Sequence, residues 1–268
     1  MLNLDNKDFL TREQIAKLAP TVFASNPSPE VSKHYTHIPT STILEDMEKL
    51  GWGVVDAQEV QSRTPHTKGF QKHLLVFRNN DIVINGEDGD TVFPQILLTN
   101  SHDGKNAFTF QAGLFRMICS NGLVVSTQDF ENVKMRHMGY TFEDLQENIH
   151  DMVNRLPLTV ESMNKMKNTI LSQQQKVDFA KNALKSRFSD QELNRIQIDL
   201  DQLLTPVRPE DQGDNLWNVF NVVQEKIIEG DFDYTFGTKS RKARKIKNFQ
   251  QDQKINTKLF NTALEYAA

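Results

Sequence analysis

The chain has 268 residues, enough for one large domain or two smaller ones around a sizeable core. Its 38% hydrophobic and 25% charged composition is that of an ordinary globular protein, and a net charge of −4 excludes a surface that attracts nucleic acid everywhere, so any anion-binding role needs a local basic patch. One cysteine, Cys119, excludes an internal disulfide and a multi-cysteine zinc site, which fits a reducing compartment; with neither a leader pattern nor an apolar run near the ~20 residues of a membrane span, a cytoplasmic chain is expected.

The first predicted element is a helix in "TREQIAKL", where Thr11 caps, Gln14 completes a capping box, Ile15 and Leu18 form an apolar stripe, and Pro20 stops it. After a proline-containing loop, Thr40 or Ser41 caps "STILEDMEKLGW", whose Ile43, Met47 and Leu50 share one face before Gly51 ends the turn. The period then changes to two. "GVVDAQEVQSR" and "FQKHLLVFR" read as strands of a hairpin joined by "TPHTKG", with Pro65 and Gly69 as punctuation, and "DIVINGEDGD" adds a short strand and a turn. Next come a strand through Ile96–Leu98, the turn "SHDGKN" and a strand in which Phe108, Phe110 and Ala112 point to one face.

From about residue 141 the texture is helical. Leu145, Ile149, Met152, Val153 and Leu156 recur at helical spacing, as do Met163, Met166, Ile170 and Leu171, with a kink or break at Pro157. Two more helices are predicted: "SDQELNRIQIDLDQLL", with Ser189 as cap and Glu192 at the box position, and "DNLWNVFNVVQEKIIEG". No solenoid-type repeat is present. The order implies an α+β fold, with an antiparallel sheet of hairpins over about residues 52–126 packed against helices and a largely helical C-terminal half; the expected division is 1–140 and 141–268.

Three groups of residues carry candidate chemistry. The turn Asn100–Gly104 offers N–H groups and side chains to a phosphate or a base, or is only a β-turn shaped by Asp103-Gly104. His102 beside Asp103 lacks the further ligand of a metal site, so no metal or other cofactor is expected. Arg116, at the end of an apolar strand, either pairs with an internal carboxylate or grips a phosphate in two-pronged fashion. Cys119 lacks an evident base and reads as a small buried hydrophobe, and Asn121-Gly122 reads as a turn.

The last group is the segment Lys239–Lys247, where six of nine residues are basic: Lys239, Arg241, Lys242, Arg244, Lys245 and Lys247. In a helix they would form a row for phosphates beside Phe232, Tyr234, Phe236 and Phe249, which offer stacking surfaces for single strands. The alternative is a solvated segment neutralised by the preceding "EKIIEGDFD". Lys68, Lys72, His73 and Arg78 on the hairpin make a second, weaker basic cluster. There is no G-x-x-x-x-G-K loop, dinucleotide G-x-G-x-x-G or G-x-S-x-G elbow to indicate a nucleotide-driven motor, a nicotinamide enzyme or a serine hydrolase.

The run from Asn100 to Gly104, followed by Ala112-Gly113, Arg116, Cys119, Asn121 and Gly122, resembles the N-S-H-D-G … A-G-x-x-R-x-x-C-x-N-G-L hallmark of a phage/plasmid-like protein family of unknown function. The likeness extends through "SKHYTHIPTSTILEDMEKLGW", "FQKHLLVFR" and "NLWNVFNVVQEKII", and implies mobile-element biology without an assigned activity. A capped helix ending in "LGWG" before "HLLVFR" is also similar to the start of phage single-strand annealing proteins, which bind single-stranded DNA in a basic groove as rings or filaments. The leading expectation is therefore a homo-oligomeric protein that binds single-stranded DNA, with Arg116, the Asn100–Gly104 turn, the hairpin and Lys239–Lys247 lining one groove. The alternatives are a nuclease or nucleotide-processing enzyme using His102, Asp103 and Arg116, and a protein-binding inhibitor of a bacterial defence system.

Overall fold

The structure is a computed structural model and describes residues 9–62, 64, 67–85, 91–106, 108–116, 122–124, 133–135 and 141–267. Cys119, Asn121 and Pro65, singled out in the sequence, lie outside the described residues. The fold is α+β, as predicted, and the chain divides into two compact units: residues 1–122 with 128–156, and residues 123–127 with 157–268.

The first unit opens with α1 (Arg12–Leu18), held by the predicted capping box, in which Gln14 N donates to Thr11 Oγ1 and Thr11 N donates to Gln14 Oε1. Ile15 is buried, but Leu18 of the expected stripe is half exposed, because seven residues make only two turns and the chain leaves the helix at Ala19. In α2 (Thr40–Lys49), Ile43 and Met47 are buried as predicted, while the cap position is taken by Pro39 and the Thr40 side chain turns inward to polar partners instead of capping.

The sheet is built on strands β1 (Gly53–Glu59), β2 (His73–Arg78), β4 (Thr91–Asn100) and β5 (Phe108–Arg116), antiparallel in the spatial order β1-β2-β4-β5. The short β3 (Ile84–Asn85) pairs with β4; β6 (Gly122–Val124) follows β5, and β7 (Val133–Met135) pairs back onto it. All six residues of β2 are buried, which places the strand inside the sheet with both faces covered. Its register sets His73 opposite Asn100, the last residue of β4. Leu75, Phe77, Leu98, Phe108 and Phe110 form the centre of the core, with the Phe108 and Phe110 rings 4.9 Å apart edge to face.

Helix α3 (Phe142–Asn168) continues through Pro157, so of the expected kink or break the break is absent; the boundary between the two units falls inside this helix. In the second unit, α4 (Gln173–Arg187), α7 (Leu216–Glu229) and α8 (Phe249–Tyr266) bury Phe179, Trp217, Phe220, Leu259 and Phe260. The helix predicted over "SDQELNRIQIDLDQLL" is instead three pieces: α5 (Asp190–Leu193), β8 (Ile196–Gln197) and α6 (Asp201–Leu204). The Ser189–Glu192 capping box forms, yet the alternation Ile196-Gln197-Ile198 suits a strand and β8 joins a sheet. That sheet has the order β10-β9-β8, with β9 (Asp233–Phe236) and β10 (Lys239–Lys242) linked by Gly237-Thr238. Gly237 at φ +63 supplies the positive dihedral that a two-residue hairpin turn needs at its first position.

Gly230 closes α7 at φ +87, and a Cβ there would lie 2.7 Å from the carbonyl oxygen of Ala243. Gly230→Ala is therefore expected to lower stability by about 2 kcal/mol or more, read as a reduced denaturant midpoint, because an L side chain is strained at this dihedral and the facing backbone has no room to yield.

Candidate functional site

The Asn100–Gly104 turn follows directly from the end of β4, and its side chains point into the protein. Asn100, Ser101 and His102 are all fully buried. Asn100 Oδ1 accepts from Ser101 N at 2.8 Å, Ser101 Oγ donates to Asp103 Oδ1 at 2.7 Å, and the same carboxylate oxygen accepts from Lys105 N at 3.0 Å. Gly104 at φ +71 completes the reversal. The Tyr35 hydroxyl donates to Ser101 O, and burial, followed by the nearby Asp103 charge, pushes its pKa up to about 12. Asn100 and His102 are fully buried and do not reach the surface.

Asn100 is part of a buried polar chain that the sequence does not announce. His73 Nδ1 lies 3.0 Å from the carbonyl of Gln71, which can only accept, so this nitrogen carries the proton of the neutral ring. Nε2 is then an acceptor and takes the Thr40 hydroxyl at 2.8 Å. Thr40 Oγ1 in turn accepts from Asn100 Nδ2 at 2.9 Å. On the other side, Thr21 Oγ1 donates to Glu59 Oε2 at 2.6 Å and lies 3.0 Å from His73 Nδ1, from which it can accept. The rings of His37 and His73 lie 4.7 and 5.2 Å from that of His102. Burial pushes the pKa of His73 down to about 4, with the Gln71 carbonyl opposing the shift, so this residue adds no positive charge to the hairpin near neutral pH. Three imidazoles meet here, yet among the described residues no group of His, Cys, Asp or Glu is placed to hold a metal ion.

The rest of the hairpin cluster disperses. Lys68 is exposed in the turn, whereas Lys72 is half-buried with its pKa lowered by desolvation. Arg78 is buried in β2, where its Nε donates to Asn80 Oδ1 at 2.9 Å and its guanidinium lies 5.1 Å over the Phe93 ring. Arg116 ends β5 opposite Val92, and its side chain lies outside the described residues.

The first part of the basic segment, Lys239–Lys242, is a strand and not the helix considered in the sequence reading, and Ala243–Lys247 continues it without helix or strand. Two of them are neutralised by the preceding acidic stretch: Lys242 pairs with Asp231 at 2.8 Å and Lys245 with Glu229 at 2.6 Å. Lys239, Arg241, Arg244 and Lys247 are exposed and make no ion pair among the described residues. The register sets Lys239 opposite Phe236 and Arg241 opposite Tyr234, and residues directly opposite share a face. Around Phe236 stand two guanidiniums, Arg241 at 5.0 Å and Arg195 at 4.4 Å from the ring centroid. Arg195, which the sequence reading passed over, is exposed just before β8. Aromatic contacts continue from Tyr234 to Phe188 at 5.4 Å and to Phe232 at 6.3 Å, with Arg187 over both of these rings. One face of the small sheet thus carries alternating rings and guanidiniums, an arrangement suited to anions and to flat aromatic ligands.

The predicted basic residues therefore belong to different units, with Lys68, Lys72 and Arg78 in the first and Lys239–Lys247 in the second. No helix among the described residues is long and apolar enough to cross a membrane.

Comparison with known proteins gives a consistent assignment. The chain is 28% identical over 252 residues to the UPF0380 protein YafZ of Escherichia coli strain K12, covering 94% of this chain and 89% of the relative. It is 28% identical over 258 residues to the UPF0380 protein YfjQ of the same strain, with the same coverage of both chains. No solved structure matches. A family described as a domain of unknown function (DUF932) matches residues 29–260, from the loop before α2 into α8, and the chain belongs to that family.

Proposed function

We propose that the protein binds single-stranded nucleic acid through the β8-β9-β10 sheet of its second unit, with strand annealing in a phage or plasmid setting as the biological use. The observation that carries this reading is the Phe236 ring flanked by Arg195 and Arg241, with the exposed Lys239 opposite it in the register and the exposed Arg244 and Lys247 further along the same segment. Exposed cations without carboxylate partners retain their charge for phosphates, and aromatic side chains beside them supply the apolar contact that a polynucleotide offers through its bases. The net negative charge of the chain makes such contact local and sensitive to salt. A single protomer covers few nucleotides, so a repeating assembly would add avidity.

The test is fluorescence anisotropy with a dye-labelled single strand at low and moderate salt. Binding is expected to weaken steeply with salt, and the double charge reversal Lys239→Glu with Arg241→Glu is expected to cost at least about tenfold in affinity and to reduce the log–log salt slope by about 2. A protein whose partner is another protein would retain its partner in this variant and show no oligonucleotide binding in dilute buffer.

A further inference from the structure

We propose, resting on the reading above, that the strip recognises unpaired bases and not only phosphates: one base stacks on the Arg195–Phe236–Arg241 group and its neighbour on Tyr234. Tyr234 and Phe236 are alternate residues of β9, so their side chains leave the same face of the sheet. Two strand residues span about 6.6 Å. Bases in a duplex strand rise by only about 3.4 Å per nucleotide, so successive bases can occupy successive platforms only when the strand is unstacked.

Both platforms are accessible. Tyr234 and Phe236 are partly exposed, and Arg195 and Arg241 are exposed. A guanidinium lying over a ring offers its outer plane to a further flat π-system, while its N–H edge remains directed outward for a phosphate. Lys239, opposite Phe236 in the register, adds an exposed cation for a phosphate next to the Phe236 platform. Arg187 has a different role. It donates to the carbonyls of Ile227 and Arg244, so its guanidinium is held by the backbone against Phe188 and Phe232, the two rings that contact Tyr234.

The experiment compares a short dye-labelled oligothymidylate with an abasic strand of equal length and charge, using the full-length protein. The expected result is that the normal strand binds about tenfold more tightly than the abasic one. This ratio should fall in Phe236→Leu, which keeps an apolar side chain on the strand, return in Phe236→Tyr, and collapse towards one only when Tyr234→Leu is added to Phe236→Leu. Equal affinity of the wild-type protein for the two strands would overturn base stacking while leaving the charge-based reading in place. Absence of binding to either strand at low salt would remove the nucleic-acid reading and this inference with it.

Discussion

Unfolding free energy is expected to fall by about 3 kcal/mol as the pH drops from 6.5 to 4, and the loss is assigned to His73. The folded pKa of about 4 lies below the ordinary value of 6.5, so across this window the unfolded chain takes up a proton that the native state refuses. Stability contributed by the neutral ring is complete above pH 6.5, declines through the interval and levels off below 4, where both states are protonated. The geometry gives the same sign. A second proton at Nε2 would confront the Thr40 hydroxyl, whose own proton already points at that nitrogen, and a charged ring would gain no solvent in exchange. Denaturant unfolding of the wild type and His73→Gln across this range checks the expectation, because the variant should lose this share of the pH slope whatever its stability at neutral pH.

The second large effect is expected at Thr40. Thr40→Val keeps the volume and the branched shape, but deletes a hydroxyl that donates to His73 and accepts from Asn100 at a fully buried position. The imidazole loses the partner of Nε2, and the amide is left with only a 3.5 Å approach to the Ile38 carbonyl. Two buried polar groups deprived of good partners cost about 1–3 kcal/mol each, so a loss of about 3 kcal/mol is expected. Thr40→Ser, which keeps the hydroxyl and removes one buried methyl, should cost about 1 kcal/mol. A valine variant as stable as the serine one would show that the hydroxyl contributes nothing.

Local signals in the sequence foretold local structure well. The capping boxes at Thr11–Gln14 and Ser189–Glu192 form as read, and alternation gives the strands of the large sheet. Where prediction failed, tertiary pairing overrode local preference. Ile196 and Gln197 follow a capped helical turn, yet they join β9; Lys239–Lys242, where a helix was only one reading, form a strand because the turn at Gly237 folds them back on Asp233–Phe236. Helix α8 carries a clear Asn248 cap and had no counterpart in the sequence reading. The polar chain could not be foreseen at all. Thr21 meets His73 from 52 positions away, and nothing near either residue encodes the meeting. Arg195 was missed for a related reason: a lone arginine in an acidic stretch gains its meaning only when Phe236 is brought beneath it.

The commitment of both ring nitrogens bears on where chemistry can be sought in the first unit. With Nδ1–H directed at the Gln71 carbonyl and the Nε2 lone pair filled by a threonine proton, His73 is withdrawn from proton shuttling and from cation ligation alike. The imidazole acts as a keystone: it joins the start of α2 to the end of β4, and the motif beginning at Asn100 is anchored by the same joint. His73 thus serves the shape of this unit, and its replacement would be felt in folding before it was felt in any activity.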